Sequence, residues 1–279
     1  MSEMKQNIYI ILSCMILSSC DLIQSMVDPA NQYRDVSPRE KTELMYLYGQ
    51  TDGCDWTNNT KWGTPYPVSE WYGISTNSEG YVTAINLSGN NLRGEDVRID
   101  LSVFKYLTSF SIDDNPIESL EINGNDDLKR VILQSCAKNM LTLTNLNKVE
   151  IVDCDSLEYI IGNVDTLIMK DCYFKKNEET NIHMELELVR FEDCALSRLR
   201  VDSPNLYFIR SIAFDAWETH TTKHLEIVDS NCPHIGEYNF EPETEIVLKN
   251  AKIRRYDGDR EYERTITANI LGSEWATLW

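Results

Sequence analysis

The chain is poor in the residues that most reactions and most nucleic-acid contacts need. It holds 4 histidines, and its 26 lysines and arginines face 45 aspartates and glutamates, for a formal net charge of −19. A surface of that sign repels phosphate backbones, which excludes nucleic acid as a partner class. There is no Gly-rich phosphate loop, no serine-nucleophile elbow and no Cys–His pair placed for catalysis. His220, His224, Cys232 and His234 fall close together, a spacing that suggests metal. However, HTTKH at 220–224 lacks the glutamate that follows the first histidine in the metalloprotease helix. A strand there would turn His224 outward and Cys232 inward, so no metal or other cofactor is assigned. Beyond residue 20 no segment is apolar enough to cross a membrane. What the chain does have is 42% hydrophobic residues over 279 positions, enough for a substantial core.

The first twenty residues read as targeting rather than fold. Lys5 precedes the apolar run IYIILSCMILSS, which is too short to span a bilayer comfortably. Leu17-Ser18-Ser19-Cys20 closes the run and resembles a bacterial lipobox. The resemblance implies a signal peptide over 1–19, a lipidated Cys20 and a tether over 20–36. Several acyl chains anchor a protein stably, because each buried methylene contributes about 0.8 kcal/mol. The expected location is the bacterial cell envelope, lipid-anchored in the outer membrane or at the cell surface. Asp21 leaves inner-membrane retention open, and an ordinary secretory signal with an incidental cysteine is the alternative.

Residues 81–93, YVTAINLSGNNLR, place Val82, Ile85, Leu87, Asn90 and Leu92 in a spaced pattern that returns along the chain. Leu107, Phe110, Ile112, Asn115 and Ile117 repeat it; so do Leu128, Val131, Leu133 and Cys136, and then Leu146, Val149, Ile151 and Cys154. Copies ending in Cys172 and Cys194 follow. Weaker ones pass through Leu206 and Ile209, Leu225 and Ile227, Ile246 and Leu248, and finally Ile266. A period near twenty with asparagine or cysteine in one slot resembles the leucine-rich repeat family. The resemblance implies a mainly β chain: a right-handed solenoid with a concave parallel sheet over 81–279, closed by a C-terminal cap. The slot residues should point inward, Asn90 and Asn115 satisfying turn backbone of the next coil, with the thiols structural rather than bridged. Blurring at DAWETHTTK (215–223) leaves open a two-domain break near 200–220.

Residues 37–80 read as an N-terminal helix and cap. Ser37, Pro38 and Glu40 compose a capping box with proline at the first turn, and Gly49 suits the exit. Trp56, Trp62, Trp71 and Tyr72 resemble the aromatic cap of leucine-rich repeat proteins, and Trp275 and Trp279 suit the other end. Asp114, Asp153, Asp171, Asp193 and Asp229 precede the slot residue. Turn chemistry explains them, and a calcium column is the alternative.

Strand alternation turns every second side chain outward. Arg130, Lys148, Ile168, Leu188, Arg190, Phe208 and Arg210 are thereby the expected contact face. The reading is a lipid-anchored recognition module, not an enzyme, that binds a protein or glycan and serves adhesion or protein binding. The alternatives are a non-catalytic structural envelope component and, further off, a hydrolase using the carboxylate column.

Overall fold

The computed structural model describes residues 35–278, apart from 126, 127, 129, 138, 156, 174–178, 197, 202, 214–221, 233–239, 258 and 259. The signal peptide, Cys20, His220, His234 and Trp279 lie outside the described residues. Helix α1 (Pro38–Gln50) begins at the expected capping box: Ser37 accepts from the Glu40 amide, and the Glu40 carboxylate accepts from the Ser37 amide. Gly49 lies inside the helix rather than at its exit.

The strands follow as β1 (Ile74–Thr76), β2 (Val82–Asn86), β3 (Gly94–Asp100), β4 (Ser109–Ser111), β5 (Ile117–Asn123), β6 (Val131–Gln134), β7 (Met140–Val152), β8 (Tyr159–Lys170) and β9 (Glu179–Glu185). After them come β10 (Leu188–Glu192), β11 (Ala195–Leu196), β12 (Arg198–Arg200), β13 (Asn205–Ile209), β14 (Ile212–Ala213), β15 (His224–Val228), β16 (Glu245–Asp257) and β17 (Arg260–Leu271). The chain is mainly β, a parallel-sheet solenoid. One ladder stacks β6, the second half of β7, the second half of β8, β10, β13, β15 and β16 in parallel. A second stacks β3, β5, the first halves of β7 and β8, β9 and β12. In β7 and β8 one strand serves both ladders and turns a corner between them. The corner in β7 is made by Asn145 (φ 54°) and that in β8 by Gly162 (φ 135°), where a Cβ would overlap the Leu143 carbonyl.

The space between the ladders is filled by the repeating apolar positions. Val131, Leu133, Val149, Ile151, Leu167, Met169, Val189 and Phe191 are fully buried, and Leu120, Leu141, Leu143 and Ile160 meet them from the other side. The first ladder continues unbroken from β10 through β13 to β15, across the stretch where the template blurs.

Two ends close differently. At the start, Trp62 packs on Trp56 and Trp71 at 4.9 Å and stacks on Tyr48 at 5.8 Å. Tyr72 is exposed, so Tyr48 from α1 takes the place the sequence suggested for it. Helix α1 also caps the sheets with side chains. Gln50 exchanges two hydrogen bonds with the Arg98 backbone (2.5 and 2.9 Å), as a neighbouring strand would, and Glu43 accepts from the Asp100 amide. Glu40 accepts from the Val82 amide at 3.2 Å. At the far end, β17 pairs antiparallel with β16, so Ile266 belongs to a closing hairpin and not to a further repeat. Trp275 is buried there against Phe240, ring centroids 5.0 Å apart.

The copy at 205–209 corrects the expected register. Leu206 and Phe208 point inward, Phe208 fully buried and stacked on Phe191 at 5.2 Å, while Tyr207 and Ile209 point out. Phe208 therefore leaves the proposed contact face. The sequence offers three adjacent apolar residues at 207–209, and period-two alternation starting from Leu206 selects the middle one. Phe208→Ala is expected to cost about 3–5 kcal/mol, the usual range for emptying a core aromatic site. Tyr207→Ala is expected to cost less than about 1 kcal/mol. Urea unfolding of both variants checks this; equal losses would contradict the register.

Candidate functional site: the outward face of the long ladder

Each coil of the long ladder ends in the same turn. One residue adopts left-handed backbone: Asp114, Ser135, Asp153, Asp171, Asp193, Arg210, Asp229 and Asn250, all with φ between 48° and 55°. The next residue turns inward: Asn115, Cys136, Cys154, Cys172, Cys194, Ser211 and Ser230, all buried. Aspartate and asparagine tolerate left-handed backbone better than other residues with a Cβ, which accounts for the column of aspartates. Their carboxylates are also occupied locally. Asp193 takes both ends of the Arg210 guanidinium at 2.6–2.7 Å, Asp229 accepts from Asn250, and Asp153 accepts from Gln134. Hydrogen bonding to Arg210 holds the Asp193 carboxyl below its ordinary range. An open groove of about 450 Å³ runs beside Asp114, Asp153 and Asp155, but it is shallow. Among the described residues no three His, Cys, Asp or Glu side chains gather as a metal site. His224 stands outward, 3.2 Å from Glu245, while Cys232 is buried.

The inward slot residues tie each coil to the one before it. The Asn115 amide donates to the carbonyls of Leu87 and Ile112, and its carbonyl accepts from the amides of Asn90 and Leu92. The asparagines thus satisfy the preceding coil rather than the next one. Cys154 donates weakly to the Cys136 carbonyl at 3.4 Å. Cys194 hands its amide to the Ser211 hydroxyl at 3.1 Å, and Ser211 hands its amide to Ser230 at 3.0 Å. These serines continue the slot through the copies in which the sequence pattern is weak. A small side chain three residues after the second inward apolar position (Phe208→Ser211, Ile227→Ser230) was the available signal. All the described cysteines are free, and only Cys54 is exposed. Burial pushes the Cys154 thiol up to about 11 and Cys232 to about 12, so both stay protonated and inert at neutral pH.

With the turns accounted for, the outward face of the long ladder is the surface that bears most of the predicted residues. Parallel register sets Ile132, Glu150, Ile168, Arg190, Tyr207, Glu226 and Val247 in one row across it. Beside it runs a row of Lys148, Thr166, Leu188, Asn205 and His224, and on the other side Val152, Lys170, Glu192, Ile209 and Val228. The expected residues Lys148, Ile168, Leu188 and Arg190 therefore do converge, with Arg130 at the edge and Arg210 on the turn. Tyr207, Ile209 and Val228 belong with them.

The cations are not a free positive patch. Glu150 is a nearly buried carboxylate on this outward face, 2.6 Å from Arg130, 3.3 Å from Lys148 and 3.7 Å from Lys170. Arg190 pairs with Glu192, which also meets Lys170 at 3.6 Å, and Arg210 pairs with Asp193. What the face offers a partner is half-buried aliphatic and tyrosine surface set among neutralised charges.

Burial would raise the Glu150 carboxyl, but hydrogen bonds from Arg130 and Lys148 and the charge of Lys170 outweigh it, so its value is lowered. A carboxyl held low in the folded state adds stability above its unfolded value of about 4.3, and that stability fades as pH falls through the folded value. Wild type should thus exceed Glu150→Gln in melting temperature by a constant margin from pH 7 to about pH 5. The margin should shrink below about pH 4. A gap that widens on acidification, or none at neutral pH, would contradict the ion-pair hub. No protein-family model matches this chain, and comparison with curated proteins and with solved structures yields no match.

Proposed function

We propose that this is a recognition module of the leucine-rich repeat class, a right-handed solenoid tethered to a bacterial envelope through Cys20, which holds the long ladder's outward face towards a protein partner. The observation that carries the reading is the row from Ile132 to Val247, where parallel pairing fixes apolar side chains among carboxylates and cations that already neutralise one another. Side chains held on a parallel ladder lose little conformational freedom on contact, so more of the contact energy remains for affinity. Balanced charge favours a protein over an anionic glycan, which would need unpaired cations. The grooves beside the turns are shallow and their aspartates already engaged, which supports binding over hydrolysis. No helix among the described residues is long and apolar enough to cross a membrane. The anchor therefore rests on the lipobox resemblance alone.

Screening the full chain against protein and glycan arrays tests the face, with Ile168→Glu/Leu188→Glu and Tyr207→Ala as variants. Protein ligands should dominate. The double charge substitution should weaken binding by at least about tenfold, equivalent to about 1.4 kcal/mol. Binding that survives both variants would move the contact off this face, and no ligand at all would favour a structural envelope role. Cys20→Ser should shift the protein out of the detergent phase; unchanged partitioning would remove the anchor.

A further inference from the structure

The solenoid protects its first strands and leaves its last one open. At the start, β1 pairs antiparallel with β2, and Gln50 and Glu43 satisfy the edge of β3. At the other end β17 is the terminal strand, paired on one side with β16, and no strand among the described residues pairs with its other side. Sheet edges of this length are normally blunted by proline, lysine, a bulge or a covering segment. Residues 265–270, TITANI, contain no proline, glycine or charge. The segment Gly272–Leu278 caps the end of this edge, where Glu274 accepts from the Leu271 amide at 2.9 Å, beyond residues 265–270. It also reaches β17 through Arg264, whose guanidinium donates to the Leu278 carbonyl at 2.7 Å. Arg264 has the parity of Ile266 and Ile270, which pack towards the core, so the contact lies under the face of β17.

We propose that the outer edge of β17 pairs antiparallel with the same edge of a second copy of this chain, joining the two long ladders into one sheet. This inference does not depend on the proposed ligand. A two-fold axis through Thr265, Ile266 or Thr267 sets even-numbered residues of one copy opposite even-numbered residues of the other. Ile266 and Ile270 of both copies then share one side of the sheet, and each half-buried pair gains cover from its mate. In all three registers no like charges stand opposite each other, and threonines fall against Thr, Asn or Glu. The nearby acids are already engaged: Glu263 meets Lys252 at 2.9 Å and Arg254 at 3.0 Å, and Glu261 meets Arg254 at 2.7 Å. What opposes association is the net charge of −19 on each copy, a long-range repulsion that salt screens. Dimerisation should therefore strengthen with ionic strength.

The test is sedimentation equilibrium of the full chain in detergent, corrected for bound detergent, at about 50 and about 500 mM salt, roughly threefold apart in Debye length. Thr265→Lys/Asn269→Lys is the comparison variant, which spares Thr267 because its hydroxyl accepts from the Asn250 amide. Thr265 and Asn269 are exposed, so the lysines should fold normally, which an unchanged melting temperature verifies. Wild type should form dimers that increase with salt, and the lysines should weaken them by at least about tenfold. Hydrogen exchange of wild type at low and high concentration gives a second reading, with amides in 265–270 gaining protection only when concentrated. A monomer at both salts, a dimer indifferent to the lysines, protection independent of concentration, or species larger than dimers would each overturn the proposal.

Discussion

The structure depends on how each coil turns out of the long ladder. A strand that must reverse towards a second sheet leaves backbone amides and carbonyls without strand partners at the corner, and burying them unpaired would cost about 1–3 kcal/mol each. Here one left-handed residue keeps its amide bonded to the carbonyl of the following coil, as Asp171 does to Glu192 and Asp229 to Lys249. The inward residue after it then binds carbonyls of its own turn and of the preceding coil. Sheet pairing thus runs through the turn instead of stopping at it.

That arrangement tolerates drift in chemistry from one end to the other. Asparagine at 90 and 115 can donate twice and accept twice, and it serves the first turns. Cysteine at 136–194 makes only weak bonds but fills the slot with a buried, nearly apolar side chain. Serine at 211 and 230 donates to its own coil's carbonyl and accepts the amide of the coil before, so each hydroxyl makes two hydrogen bonds. The outward rows inherit their order from this stacking. Glu150 can collect Arg130 and Lys170 because successive coils hold them in fixed register, and Lys148 joins from its own strand.

Much of this was legible in sequence because the signal was periodic. The inward slot, the helix cap at Ser37 and the burial of Trp56, Trp62 and Trp71 all follow from residue type at a fixed spacing. Three features were not. At 206–209 four apolar residues in a row hide which face is buried, and the choice of Phe208 required the pairing of β13 with β10. Ile266 has the composition of a repeat strand, but direction of pairing is not written in alternation, and β17 runs antiparallel. Arg130 and Arg210 looked free because their partners, Glu150 and Asp193, come from neighbouring coils, and short-range reading does not see across coils; Lys148 and Arg190 pair within their own strands, with Glu150 and Glu192. The proposed function rests on that corrected face, apolar and charge-balanced, held rigid by the turns.

Amide hydrogen exchange at the turn positions tests the central constraint most directly. The amides of Ser135, Asp153, Asp171, Asp193, Arg210 and Asp229 sit in turns near the surface, yet each bonds to a carbonyl of the next coil at 2.9–3.2 Å. They should exchange as slowly as the amides of Val149, Leu167 and Val189 in the adjacent strands, through the same cooperative opening. Exchange of these turn amides at the rate of unprotected surface loops, with the strands still protected, would show that the coils are not joined through their turns.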